Sequence, residues 1–221
     1  YPDFKWRLAR YLDYLIHMVE KRGIQVRLNT LATPEAIEHE GFDVVIAATG
    51  AAPHLPDIPG IGTADTVNII DVYEKEAELG ETVAVIGGSS TAAEAAVFLA
   101  RHGHRVTELS RKNIIAYDDS PVRGRVYMNR LAYTNGVKVI PCAATVSVAP
   151  HELTYCDESG AEHTLTFDSL VAAGGMKARR DEAIAFANSA NEFYMIGDCK
   201  GDPGSNLMTA IGDAYAVAMQ I

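Results

Sequence analysis

Leu8, Leu12, Leu15, Ile16 and Val19 recur at helical spacing through residues 4–22, with Arg and Lys at both ends and Gly23 as a stop. This predicts one amphipathic helix. Ile24, Val26 and Leu28 then alternate with polar residues, the pattern of a strand, and Thr33-Pro34-Glu35 opens a short helix that Gly41 ends. Residues 43–48 form a near-continuous apolar run that enters Thr49-Gly50, as expected of a strand buried on both faces of a parallel sheet. Between residues 51 and 62, Pro53, Pro56, Pro59, Gly60 and Gly62 forbid a helix or a central strand and predict a crossing between lobes. Beyond it the pattern predicts a helix at 71–79, a strand at 82–86, a helix at 91–102 and a strand at 105–109, which together make a βαβ unit of about thirty residues. A helix at 122–134 precedes Gly136 and a strand at 137–140. Short strands at 145–148, 153–156 and 163–167 follow, punctuated by the hairpin signal Asp157-Glu158-Ser159-Gly160. A buried strand at 170–173 ends in Gly174-Gly175, a strand at 193–196 leads into Gly197-Asp198, and residues 206–221 read as a terminal helix. Alternating strands and helices place the chain in the α/β class.

The chemistry concentrates where the strand at 82–86 meets the next helix, in Gly87-Gly88-Ser89-Ser90-Thr91-Ala92. The spacing is that of GxGxxG/A, with Ser89 where the second glycine is expected and Ala92 as the third small residue. A dinucleotide pyrophosphate sits at such a turn because the first helical N–H groups lack partners and the dipole there is positive. A Cβ at Ser89 either displaces the ligand slightly or offers a hydroxyl to a phosphate oxygen. Glu94, one turn into the helix, faces the nicotinamide end of a cofactor or complements the helix dipole as a helix-start acid.

A carboxylate about twenty residues after the turn would bind a ribose 2′-OH and signal NAD. That place is taken by Ser110, followed by Arg111 and Lys112. A hydroxyl with two cations suits a 2′-phosphate and so favours NADPH over NADH. Glu108 reaches the ribose only if the strand register is shifted by two.

Composition removes other classes. The chain has 221 residues, 48% of them hydrophobic, and 19 Lys and Arg against 29 Asp and Glu give a formal net charge of −10. That balance opposes capture of nucleic acid or anionic lipid, and no stretch approaches the roughly 20 apolar residues of a membrane span. Cys142, Cys156 and Cys199 contain no CxxC pair, so no disulfide framework or metal site is predicted, and a reducing, cytoplasmic compartment is expected. No charged, apolar leader follows Tyr1. The seven histidines are scattered, and no nucleophile arrangement predicts a catalytic side chain.

The strand end Ala48-Thr49-Gly50 before a proline-rich crossing, the Gly87 turn, and Ile196-Gly197-Asp198 before a terminal helix occur together. In this the chain resembles the flavoproteins with two dinucleotide-binding domains, above all the carboxy-terminal portion of the 2,4-dienoyl-CoA reductase, enoate reductase and trimethylamine dehydrogenase group. Phe167-Asp168-Ser169-Leu170-Val171 and the run from Asn206-Leu207-Met208 to Ile221 match the same family's endings. The resemblance implies a Rossmann-like, three-layer NAD(P)H-binding lobe at residues 78–187, inserted in a partial FAD-binding lobe of residues 1–77 and 188–221. It places Thr49 and Gly50 near the FAD pyrophosphate, Asp198 on a ribityl hydroxyl, and the amino end of the last helix, with Asn206 and Met208, toward the flavin ring. Gly174, where the strand-then-glycine ending recurs, joins the cofactor-contact candidates. The family's first βαβ unit and a barrel carrying FMN and a 4Fe–4S cluster are expected in a preceding part of the same polypeptide. The chain alone is therefore expected to bind flavin poorly, with an ADP-holding structural module as the alternative function.

Overall fold

A computed structural model describes residues 3–62 and 66–221. Packing divides the chain into one unit of Tyr1–Ala52 with Met176–Ile221 and a second of Pro53–Gly175.

The first unit starts with α1 (Trp6–Lys21), none of whose residues is buried. The strand expected next does not form, and Ile24, Val26 and Leu28 are 57%, 58% and 78% exposed. Alternation alone cannot make a strand, because its N–H and C=O groups need a neighbouring chain. α2 (Pro34–Glu40) begins where the Thr33 hydroxyl accepts the Ala36 N–H at 3.3 Å and ends at Gly41 in the left-handed region. β1 (Val44–Ala47) and β2 (Ala51–Pro53) follow.

The second unit begins with β3 (Thr66–Asn68), α3 (Val72–Lys75), β4 (Thr82–Ile86), α4 (Ser90–Arg101) and β5 (Arg105–Leu109). A π-helical turn at Pro121–Arg125 runs into α5 (Val126–Thr134), so the helix expected from 122 starts with a wider turn. β6 (Lys138–Ile140), β7 (Ala144–Ala149), β8 (Glu152–Cys156), β9 (Glu162–Thr166) and β10 (Ser169–Ala172) complete it. The strands β3, β10, β4, β5 and β6 lie side by side in that order in one parallel sheet, and β7, β8 and β9 form an antiparallel meander. On one face of the sheet, Ala84, Ile86, Leu109, Leu170 and Ala172 share a core with Val148, Leu153 and Phe167. α4 buries Ala92, Ala93, Ala95, Ala96, Val97 and Leu99. Its alanines permit close approach without cavities.

β3 and the buried Val72 of α3 belong to this sheet unit, and the division between the two units falls at the start of the proline-rich crossing. At the far end, Ala183 packs with Ala47 and Cys199 in the first unit, which resumes at Met176. Asp168 fastens two strand starts: its Oδ2 accepts the Thr82 N–H at 2.7 Å and the Thr82 hydroxyl at 2.6 Å. These donors hold its carboxyl below the usual range. The stability it contributes is present above the ordinary aspartate value and disappears as pH falls through the depressed one. Asp168→Ala lowers the thermal midpoint at pH 7, and the difference from wild type shrinks at pH 3; an equal deficit at both would contradict this role.

The chain returns to the first unit through β11 (Met176–Ala178), α6 (Arg180–Ile184), β12 (Glu192–Met195) and α7 (Leu207–Ala218). β12 pairs in parallel with β1, and β11 pairs with β2. Among the described residues no helix is long and apolar enough to cross a membrane.

Candidate functional site

The turn between β4 and α4 is built by contacts that admit only glycine. Gly87 has φ 143°, and a Cβ there would lie 2.8 Å from the Ala173 Cβ. One on Gly88 would lie 2.1 Å from the Ser110 Oγ, and one on Gly174 would lie 2.1 Å from the His54 carbonyl oxygen. Ser89 instead has extended backbone, φ −71° and ψ 168°, which any residue adopts. Its hydroxyl caps α4 by accepting the Ala92 N–H at 3.4 Å, so this serine serves the helix first. Ala92 is fully buried, and its Cβ is 3.2 Å from the Gly87 Cβ position, which explains the small third residue. Above the turn opens a cavity of about 790 Å³, lined by Gly87, Gly88, Ser89, Arg111, Lys112, Tyr117 and Gly174.

The end of β5 supplies the rim. Arg111 and Lys112 are exposed there. Ser110 is not available as a third phosphate ligand: it is fully buried, its hydroxyl donates to the Ile114 carbonyl at 3.2 Å, and it accepts the Lys112 N–H at 3.2 Å. It shapes the loop that presents the two cations. Glu108 cannot reach a ribose either, being fully buried, with neither carboxylate oxygen hydrogen-bonded among the described residues. Burial pushes its carboxyl up to about 8. Glu94 does not line the cavity. With burial as the larger cause, its charge helps push the Tyr73 phenol up to about 12.

One contact escaped the sequence reading. The Ser90 N–H donates to Asp118 Oδ1 at 2.6 Å, and the Ser90 hydroxyl donates to Oδ2 at 3.1 Å. Asp118 lies 28 residues away on the loop after β5, and only the fold brings the two together.

In the first unit, the Thr49 hydroxyl donates to the Arg179 carbonyl at 3.3 Å, and Gly50 is left-handed with φ 70°. Gly197 is also left-handed, φ 68°, and its N–H donates to Asp213 at 3.0 Å; Lys200 reaches the same carboxylate at 3.0 Å. Asp198 is exposed. Asn206 caps α7, its Oδ1 accepting the N–H groups of Met208 at 2.9 Å and Thr209 at 3.2 Å. The amino end of α7 thus offers the Asn206 side chain and Met208, which is 74% exposed. Among the described residues no His, Cys, Asp or Glu cluster could hold a metal ion.

A family profile described as pyridine nucleotide-disulphide oxidoreductase matches residues 16–214. Cinnamate reductase of Clostridium sporogenes is 28% identical over 222 residues, covering 100% of this chain and 33% of that protein. A probable N-methylproline demethylase of Rhizobium meliloti is 31% identical over 228 residues, covering 93% of this chain and 33% of the relative. The solved structure of a 2-naphthoyl-CoA reductase in complex with 2-naphthoyl-CoA superposes with a TM-score of 0.90 at 30% identity, covering 98% of this chain and 32% of that one. The chain spans about a third of the length of these relatives.

Proposed function

The chain belongs to the pyridine nucleotide-disulphide oxidoreductase family, and we propose that it is the nucleotide-binding, carboxy-terminal part of a multidomain NAD(P)H-dependent flavin oxidoreductase acting on enoates or dienoyl thioesters. The reading is carried by one observation: a cavity of about 790 Å³ has the glycine turn as its floor and Arg111 and Lys112 on its rim. A dinucleotide suits this chemistry, since a cradle that a Cβ would fill lets the backbone approach a pyrophosphate, and two cations match a 2′-phosphate. A bound nicotinamide cofactor would supply hydride-donating chemistry, and a bound flavin hydride-accepting chemistry. The chain's own residues bind and orient. Gly87, Gly88, Ser89 and Ser90 receive the pyrophosphate, and Arg111 and Lys112 select the phosphorylated ribose.

FAD belongs in this reading to the first unit of the longer polypeptide, with Thr49, Gly50, Gly197, Asp198, Asn206 and Met208 as its contacts. The left-handed glycines at 50 and 197 and the exposed carboxylate of Asp198 suit close approach of a polyhydroxyl chain. A preceding barrel with FMN and a 4Fe–4S cluster completes the enzyme. The exposure of Leu8, Leu12, Leu15 and Ile16 on α1, between 40% and 51% each, fits a surface that this remainder covers.

Calorimetric titration of the chain with NADPH, NADH and ADP tests the proposal. NADPH binds best, and Arg111→Ala weakens NADPH about tenfold more than NADH, the size expected for one charge-assisted hydrogen-bonding partner. Equal loss for both removes the 2′-phosphate assignment. ADP binding as tight as NADPH points instead to a structural nucleotide module, and no heat with any of the three overturns both readings.

A further inference from the structure

We infer that Asp118 is an internal anion that holds the pyrophosphate place at the start of α4 and sets the affinity of the site by competing with the incoming nucleotide. The inference rests on the nucleotide reading and adds to it a residue that opposes binding. The carboxylate takes both the N–H and the hydroxyl of Ser90, at 2.6 and 3.1 Å. Ser90 is the first residue of α4, where unpaired N–H groups and the positive dipole end draw anions.

Asp118 is not held there by chance rotation of a surface side chain, because the loop that carries it is fixed from several sides. The Arg125 guanidinium donates to the carbonyls of Ala116, Tyr117 and Asp119. Asn129 donates to the Ile115 carbonyl at 3.0 Å, and the Tyr117 N–H reaches the Gly88 carbonyl at 3.4 Å. Ala116 has φ 52°, a conformation that a non-glycine residue rarely adopts and that persists only where its surroundings enforce it. Asp119 packs against Gly124 so closely that a Cβ there would fall 1.9 Å from its carboxylate.

A phosphate and a carboxylate cannot share these donors. Two negative charges drawn to the same donors repel each other. The pyrophosphate therefore displaces Asp118 from Ser90, and the same loop that offers Arg111 and Lys112 to one end of the nucleotide withholds the helix from its middle. Affinity is set by the difference.

The test compares Asp118→Asn with wild type in calorimetric titrations of NADPH and of adenosine 2′-monophosphate, which carries the 2′-phosphate but no pyrophosphate. Asp118→Asn keeps the shape and removes the charge, so NADPH binds about tenfold tighter, a change of about 1.4 kcal/mol, while adenosine 2′-monophosphate is unchanged. Equal or weaker NADPH binding by the variant, or equal tightening of both ligands, overturns the inference while wild-type binding leaves the nucleotide reading standing. If neither protein takes up NADPH, the nucleotide reading falls and this inference with it. A measurement on the wild-type chain needs no variant: saturation with NADPH shifts the carbon resonance of the Asp118 carboxyl, and an unmoved resonance overturns the displacement.

Discussion

Replacing Glu108 by Met raises the thermal unfolding midpoint strongly at pH 9 and much less at pH 4. Glu108 sits on β5 between Val85 of β4 and Val139 of β6, fully buried, with no hydrogen-bond partner among the described residues. A carboxylate there has lost its water and gained nothing in exchange, which is why burial pushes its pKa up to about 8. The folded chain keeps the proton that the unfolded chain releases from about pH 4.5 upward. Unfolding therefore becomes easier as pH rises from the ordinary glutamate value to about 8, and the penalty then stays level. At about 1.4 kcal/mol per pH unit over that window the loss amounts to roughly 3–5 kcal/mol. Met has nearly the same length and no charge, so it removes the pH-dependent loss while filling the same space. Differential scanning fluorimetry of both proteins across pH 4–9 reads the effect directly. Parallel curves would mean that Glu108 finds a partner or water in solution.

Glu108 also shows where sequence stops being informative. Its position near the end of the second strand of a nucleotide fold made it a reserve candidate for a ribose ligand, yet strand alternation turns it away from the cavity and turns Leu109 into the sheet core. The parallel strands β4, β5 and β10 and the helix α4 were legible because long apolar runs and a glycine turn are local signals. β3 was not, since Thr66, Val67 and Asn68 carry no periodicity and become a strand only by pairing with β10. The reverse error at Ile24 to Leu28 has the same cause: alternation was present and, among the described residues, a partner strand was not. Around the cavity, Gly87, Gly88, Arg111 and Lys112 carry a spacing that the sequence shows. The fates of Ser89, Ser110 and Asp118 depend on which donors and acceptors the fold brings within 3.5 Å, and a linear pattern does not encode that.

The glycine at 174 gives the largest expected effect on binding. Gly174→Ala abolishes measurable NADPH uptake at concentrations that saturate wild type and lowers the unfolding midpoint as well. A Cβ at 174 would sit 2.1 Å from the His54 oxygen, 2.5 Å from the Pro56 nitrogen and 2.6 Å from the Leu55 carbonyl carbon, all backbone atoms. No rotamer change relieves such a clash, so the segment 54–56 must move. That segment is tied back by the His54 N–H to the Gly175 carbonyl at 3.0 Å and lines the same cavity as the glycine turn. Relief therefore breaks the tie or shifts the cavity wall, and overpacking of this kind costs about 1–3 kcal/mol. Gly175→Ala separates the two consequences. Gly175 has φ +89° and open space where a Cβ would go, so alanine there strains the backbone by about 1–2 kcal/mol without moving the wall. Its midpoint falls while NADPH affinity stays within about twofold of wild type, whereas Gly174→Ala loses both. Equal binding losses in the two variants would trace the effect to global destabilisation, and retention of binding in Gly174→Ala would remove residues 54–56 from the nucleotide site.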